Sequence, residues 1–188
     1  MSDLTDEILW KSLKEGDLAS FSILFKKFYA SLFNYGLKIS KDKVLTEDAL
    51  QDFFVYIYEH KENLSDLDSI APYLFSSFRR FIIKKINKRQ KHIMVRHVDS
   101  NIVDINFTAE EFITNQESTT FRNKNLALLI NQLPKRQREV IYLKFHCNLK
   151  ANEIAETMNI NYQSVINTLH KAIKNLREDV AIDKLLNY

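Results

Sequence analysis

Residues 153–165 read Glu-Ile-Ala-Glu-Thr-Met-Asn-Ile-Asn-Tyr-Gln-Ser-Val, and their spacing decides how the C-terminal third folds. Ala155 is followed four positions on by Asn159 and six further by Val165. Two helices that cross at about 90–120° over a three- to four-residue turn need a small side chain where they touch, a turn residue that tolerates positive φ, and an apolar anchor on the second helix. Ala155, Asn159 and Val165 meet these needs in order. Asn takes the place usual for Gly, and Asn visits the left-handed region more readily than other side-chain-bearing residues.

Projected at 100° per residue, the second helix buries Val165, Leu169, Ala172 and Leu176. Gln163, Ser164, Asn167, His170, Lys171 and Lys174 then face outward, with Tyr162 at the helix start. Hydrogen-bonding groups mixed with cations are what base edges and phosphates call for in a major groove. Upstream, Leu126, Leu129, Ile130 and Leu133 form a helix that stops at Pro134, which opens the next one with Val140, Ile141 and Leu143 inside.

The N-terminal half is also helical. Leu4, Ile8, Leu9 and Leu13 repeat up to Gly16, and Asp17 can cap a long second helix running from Leu18 to about Ile39. Thr46 is the expected cap of a third helix with Leu50, Phe53, Phe54, Ile57 and Tyr58 inward; Asp48, Gln51, Asp52, Val55 and Glu59 lie on its other face. After a polar loop from Lys61 to Ser69, Pro72 fits the first turn of a fourth helix. There Leu74, Phe75, Phe78, Phe81, Ile82 and Ile86 cluster opposite a stripe of Arg80, Lys84, Asn87, Lys88 and Lys91. Lys85 and Arg89 fall on the apolar side, so the helix is expected to fray or bend near them.

Composition supports an all-α chain. Its 188 residues include only two Gly and two Pro, against an average of about 12% for the pair, too few turn residues for a sandwich or barrel. Charge is uneven beneath a net +3: residues 79–96 carry eight Lys or Arg and no acid, residues 97–120 carry five acids and no Lys or Arg, and residues 121–188 have a net charge of +5. Two basic blocks separated by an acidic segment suit a polyanion bound at two places. Residues 97–120 lack a sustained period and are rich in Ser, Thr and Asn, which suits a linker. The expected organisation is therefore 1–96, a linker at 97–120, and 121–188. The single cysteine, Cys147, excludes an internal disulfide. The N-terminus lacks a signal-peptide profile, so a cytoplasmic protein is expected.

Catalysis finds no support. The five histidines include no i, i+4 pair, His146 and Cys147 are adjacent, and two glycines cannot build a phosphate-cradling loop. No catalytic residue, metal or cofactor is expected.

Taken together, Leu133-Pro134, Arg138-Glu139-Val140, Glu153-Ile154-Ala155, Tyr162 to Val165 and His170 to Arg177 resemble region 4 of a bacterial sigma factor of the extracytoplasmic-function type, in the sigma-70 family. Glu47 to Phe54 and Tyr73 to Arg80 similarly resemble region 2. The resemblance implies binding to core RNA polymerase and direction of it to promoters. It places the polymerase contact at Asp48, Gln51, Asp52, Val55 and Tyr56. It assigns the −10 element to Arg79, Arg80, Lys84, Asn87, Lys88 and Lys91, with the Glu62 to Ser69 loop receiving a flipped base. The −35 element falls to Tyr162, Gln163, Ser164, Asn167, His170, Lys171 and Lys174. One copy per polymerase and an anti-sigma partner are also implied. Arg80, Lys84 and Ile166 depart from the family pattern, raising phosphate attraction at the first two and removing a contact at the third. Lys150-Ala151 replaces the usual Ser or Thr cap. The alternative is a helix-turn-helix regulator without polymerase contact, which would dimerise on a palindrome.

Overall fold

The computed structural model describes residues 5–67, 69–91, 103–112 and 120–186, with eight α-helices and no strand among them. No described helix is long and apolar enough to cross a membrane. The N-terminal half comprises α1 (Asp6–Lys14), α2 (Leu18–Ser40), α3 (Lys43–Glu59) and α4 (Ile70–Lys91); α5 (Thr120–Gln132), α6 (Lys135–Phe145), α7 (Ala151–Met158) and α8 (Tyr162–Leu186) follow.

Helix boundaries follow local chemistry. Gly16, at φ +95°, ends the first helical segment, and the Asp17 carboxylate accepts the amides of Ala19 and Ser20 at 3.2 and 2.9 Å to start α2. The third helix starts earlier than its sequence suggests. Asp42, not Thr46, is the cap, accepting the Leu45 amide at 3.0 Å; Thr46 is fully buried and its hydroxyl donates to the Asp42 carbonyl at 2.8 Å. Asp42 also pairs with Arg89 at 2.8 Å, and Asp52 with Lys85 at 2.7 Å. These two ion pairs to α3 and its cap give the cations on the apolar side of α4 a place, and the helix continues to Lys91 rather than fraying.

Aromatic packing builds the first half. Phe53 meets Phe54, Phe78 and Phe81 with ring centres 5.3–5.8 Å apart, and the Trp10 indole donates to the Ser65 carbonyl at 3.1 Å, tying α1 to the loop before α4.

The second half packs directly on the first. One hydrophobic cluster runs from Leu9 to Ala172. In α6 the six residues Arg138 to Leu143 are all buried: the helix packs on α7 and α8, and its Glu139 and Tyr142 meet Tyr35 and Arg79 of the N-terminal half. The described part of the acidic segment joins this core: Val103, Ile105 and Phe107 are buried, while Asp104 and Asn106 reach Arg138 at 2.6 and 2.7 Å. Strict alternation in Val-Asp-Ile-Asn-Phe marks an extended segment with one buried face. Asn131 clamps its end, exchanging two 2.8 Å hydrogen bonds with the Phe107 backbone.

Candidate nucleic-acid interface

The helix-turn-helix forms as its spacing requires. Asn159 sits at φ 53°, ψ 54° and closes α7, its amide donating to the Ala155 and Glu156 carbonyls. Asn161 then caps α8 by accepting the Ser164 amide at 2.7 Å. Val165 and Ala172 are completely buried, and Leu169 and Leu176 are partly so. Tyr162, Gln163, Asn167, His170, Lys171 and Lys174 share one exposed face, with Ser164 half-buried beside them. Gln163 donates to Asn167 at 3.1 Å, so these two amides form one polar surface. The missing hydroxyl cap of α7 is offset by Glu153: one carboxylate oxygen accepts the Lys150 amide at 2.7 Å and the other the Ser69 hydroxyl at 2.9 Å.

A second surface lies between α3 and α4. Asp52, Tyr56, Tyr73, Ser77, Arg80, Phe81, Lys84, Lys85 and Lys88 line a groove of about 650 Å³ together with Phe53 and Ile57. Arg80, Lys84 and Lys88 are exposed and Asn87 is half-buried, while the Lys91 side chain lies outside the described residues. Cations beside tyrosine rings can hold phosphate and stack bases. Of the Glu62 to Ser69 loop, residue 68 lies outside the described residues; Leu64 is buried and Asp66 pairs with Lys14 at 2.5 Å.

The outer face of α3 presents Asp48, Gln51, Asp52, Val55 and Tyr56, all exposed. Val55 and Tyr56 are 54% and 48% exposed, large apolar groups flanked by carboxylates. An apolar centre with a charged rim is the anatomy of a protein-docking face.

Arg79 is the residue whose placement departs from the sequence expectation. Its side chain is 6% exposed and turned inward onto Glu139, with 2.8 and 3.3 Å hydrogen bonds to the two carboxylate oxygens. The position explains it: residue 79 lies four after Phe75 and three before Ile82, in the middle of the apolar face of α4. Sequence reasoning missed Glu139 as its partner, since the two are 60 residues apart. Tyr35 completes the arrangement by donating to Glu139 at 2.8 Å. Burial pushes the Tyr35 hydroxyl far above its ordinary pKa, and the nearby Glu139 charge adds to this, so the phenol keeps its proton.

Residues 123–176 match the family described as Sigma-70, region 4. Along most of its length the chain is similar to the extracytoplasmic-function RNA polymerase sigma factor SigM of Bacillus subtilis, with 26% identity over 156 residues that cover 81% of this chain and 92% of that protein. It is similar also to SigX of the same organism, with 22% identity and coverage of 87% and 84%. In fold it matches the sigma factor RpoE solved in complex with the anti-sigma factor NepR from Bartonella quintana, at a TM-score of 0.61 and 16% identity, covering 88% of this chain and 99% of that one.

Proposed function

We propose that this chain is a sigma factor of the sigma-70 family, of the extracytoplasmic-function type, that directs RNA polymerase to promoters for transcription initiation with three separate surfaces, a reading supported by the region 4 match and the similarity to SigM and SigX. The observation that carries this reading is the coincidence of the region 4 match, residues 123–176, with a well-formed helix-turn-helix whose outward face is polar and cationic. A regulator without polymerase contact would not explain the similarity to sigma factors along four-fifths of the chain.

In this reading residues 1–96 form region 2, 97–120 the linker and 121–188 region 4. The α3 face of Asp48, Gln51, Asp52, Val55 and Tyr56 docks on core polymerase, where its carboxylates supply charge complementarity and Val55 and Tyr56 the apolar centre. Arg80, Lys84, Asn87, Lys88 and Lys91 hold the backbone near the −10 element. Tyr162, Gln163, Ser164, Asn167, His170, Lys171 and Lys174 enter the major groove at the −35 element. The partners are core polymerase, promoter DNA and an anti-sigma protein, and one copy acts per polymerase, in the cytoplasm. The chain changes polymerase specificity and catalyses no step itself.

Charge reversal of Asp48 and Asp52 to Lys tests the docking face. Asp52 is 63% exposed and its pair with Lys85 adds little to stability, so helicity is expected to persist while binding to core polymerase falls at least tenfold, about 1.4 kcal/mol. Binding unchanged with helicity intact would reject this face.

A further inference from the structure

Trp10, the one tryptophan of the chain, is 3% exposed. Its indole N–H donates to the Ser65 carbonyl at 3.1 Å, and Lys14, one turn further along α1, pairs with Asp66 at 2.5 Å. α1 thus grips two consecutive residues of the irregular stretch that leads into α4. The indole ring also stands edge-on to Tyr73, with centres 5.4 Å apart and planes at 68°. Tyr73 lies in the first turn of α4 and lines the groove between α3 and α4 with Tyr56 and Arg80; Trp10 is not among the residues lining it.

A tyrosine that takes a base must keep one side open and have the rest of its ring held. The first turn of a helix is where its own backbone holds least, because the first four amides have no partner within the helix. The direction in which Tyr73 leaves α4 therefore depends on the stretch before it, which Trp10 and Lys14 secure. The edge-to-face contact then limits the ring itself, since the positive edge of one aromatic is drawn to the negative face of the other. A group already held in its binding geometry loses less freedom when the ligand arrives.

Resting on the reading of the α3–α4 groove as a surface for a DNA strand, we infer that Trp10 is a positioning residue for base stacking: it stays out of the groove and holds Tyr73 ready to take a base. Its effect passes through one ring. Arg80, Lys84 and Lys88, exposed on the outer face of α4, hold phosphate independently of it.

The test is binding of a fluorescein-labelled single-stranded DNA decamer of random sequence to the full free chain, read by anisotropy at several salt concentrations. A random decamer serves because stacking of bases on aromatic side chains tolerates any sequence. Trp10→Phe keeps a ring and removes the N–H donor. With helicity unchanged by circular dichroism, affinity is expected to fall about three- to tenfold, at an unchanged log–log salt slope because no phosphate contact is lost. In a Tyr73→Leu background the same substitution should cost nothing further, since effects routed through one residue do not add. Unchanged affinity in Trp10→Phe of native helicity would overturn the inference, as would a changed slope or an equal loss in the Tyr73→Leu background. A second readout leaves Trp10 in place: its emission should change as the unlabelled decamer saturates the unaltered chain, and should lose that response in Tyr73→Leu. If Trp10→Phe loses helicity this readout decides, and an emission that does not respond would overturn the inference. Failure of the decamer to bind the unaltered chain would overturn it too, while run-off transcription, in which no decamer enters, judges the sigma-factor reading separately.

Discussion

At the scale of single residues, the positions that matter are those where geometry leaves no choice. Gly36 lies inside α2, where a helix would ordinarily prefer alanine by about 1 kcal/mol. A Cβ there would stand 2.8 Å from the Phe78 ring and 2.9 Å from the Thr46 methyl, both on fully buried residues with no room to yield. Overpacking of this kind costs about 1–3 kcal/mol, so the clash outweighs the propensity. Gly36→Ala is expected to destabilise the chain by about 1 kcal/mol net, read as a lower urea midpoint with unchanged slope; an equal or higher midpoint would show that α2 and α4 pack less tightly than described. Asn159 was legible in the sequence because a turn of that length needs positive φ and few residues supply it. Arg79 was legible only in part: its place on the apolar face is a matter of counting, but its partner comes from another half of the chain and leaves no local mark. Thr46 misled for the opposite reason, since a hydroxyl that could cap a helix can equally serve inside it while Asp42 takes the terminus.

At the scale of elements, periodicity carried most of the reading. The inner faces of α2, α3, α4 and α8 follow from apolar spacing alone, and their outer faces follow by complement. The groove between α3 and α4 did not, because its walls belong to two helices brought together by packing between separate stretches of chain, as at Phe53 against Phe78 and Phe81. The segment 103–107 was hidden by its neighbours: five residues of alternation are too few to stand out within an acidic, hydroxyl-rich stretch. The cationic face of α4 gives a quantitative expectation. Reversing Arg80 and Lys84 to Glu should weaken binding of promoter DNA by the polymerase complex and lower the magnitude of the log–log salt slope by about 0.9 for each phosphate that is no longer neutralised. Both side chains are exposed, so the fold should be spared. A salt slope equal to that of the unaltered chain would place the backbone-binding cations elsewhere.

At the scale of the whole molecule, composition established the helical class, charge distribution suggested two cationic surfaces, and family resemblance supplied the partners. What none of these could supply was how the halves sit together. The sequence suggests two units joined by a loose acidic connector, whereas in the structure the described part of that connector is packed, with Asp104 reaching Lys135 at 2.9 Å and Lys38 bonding the Asn106 carbonyl at 2.6 Å. Contacts between residues tens of positions apart are set by the assembled core, and a periodicity argument made one helix at a time does not reach them. The central claim is that this chain confers promoter specificity on RNA polymerase, and run-off transcription with purified bacterial core polymerase and genomic promoter fragments tests it most directly. The account predicts discrete transcripts that require the added chain and core together. No stimulation by the chain, with no co-migration with core on gel filtration, would contradict it.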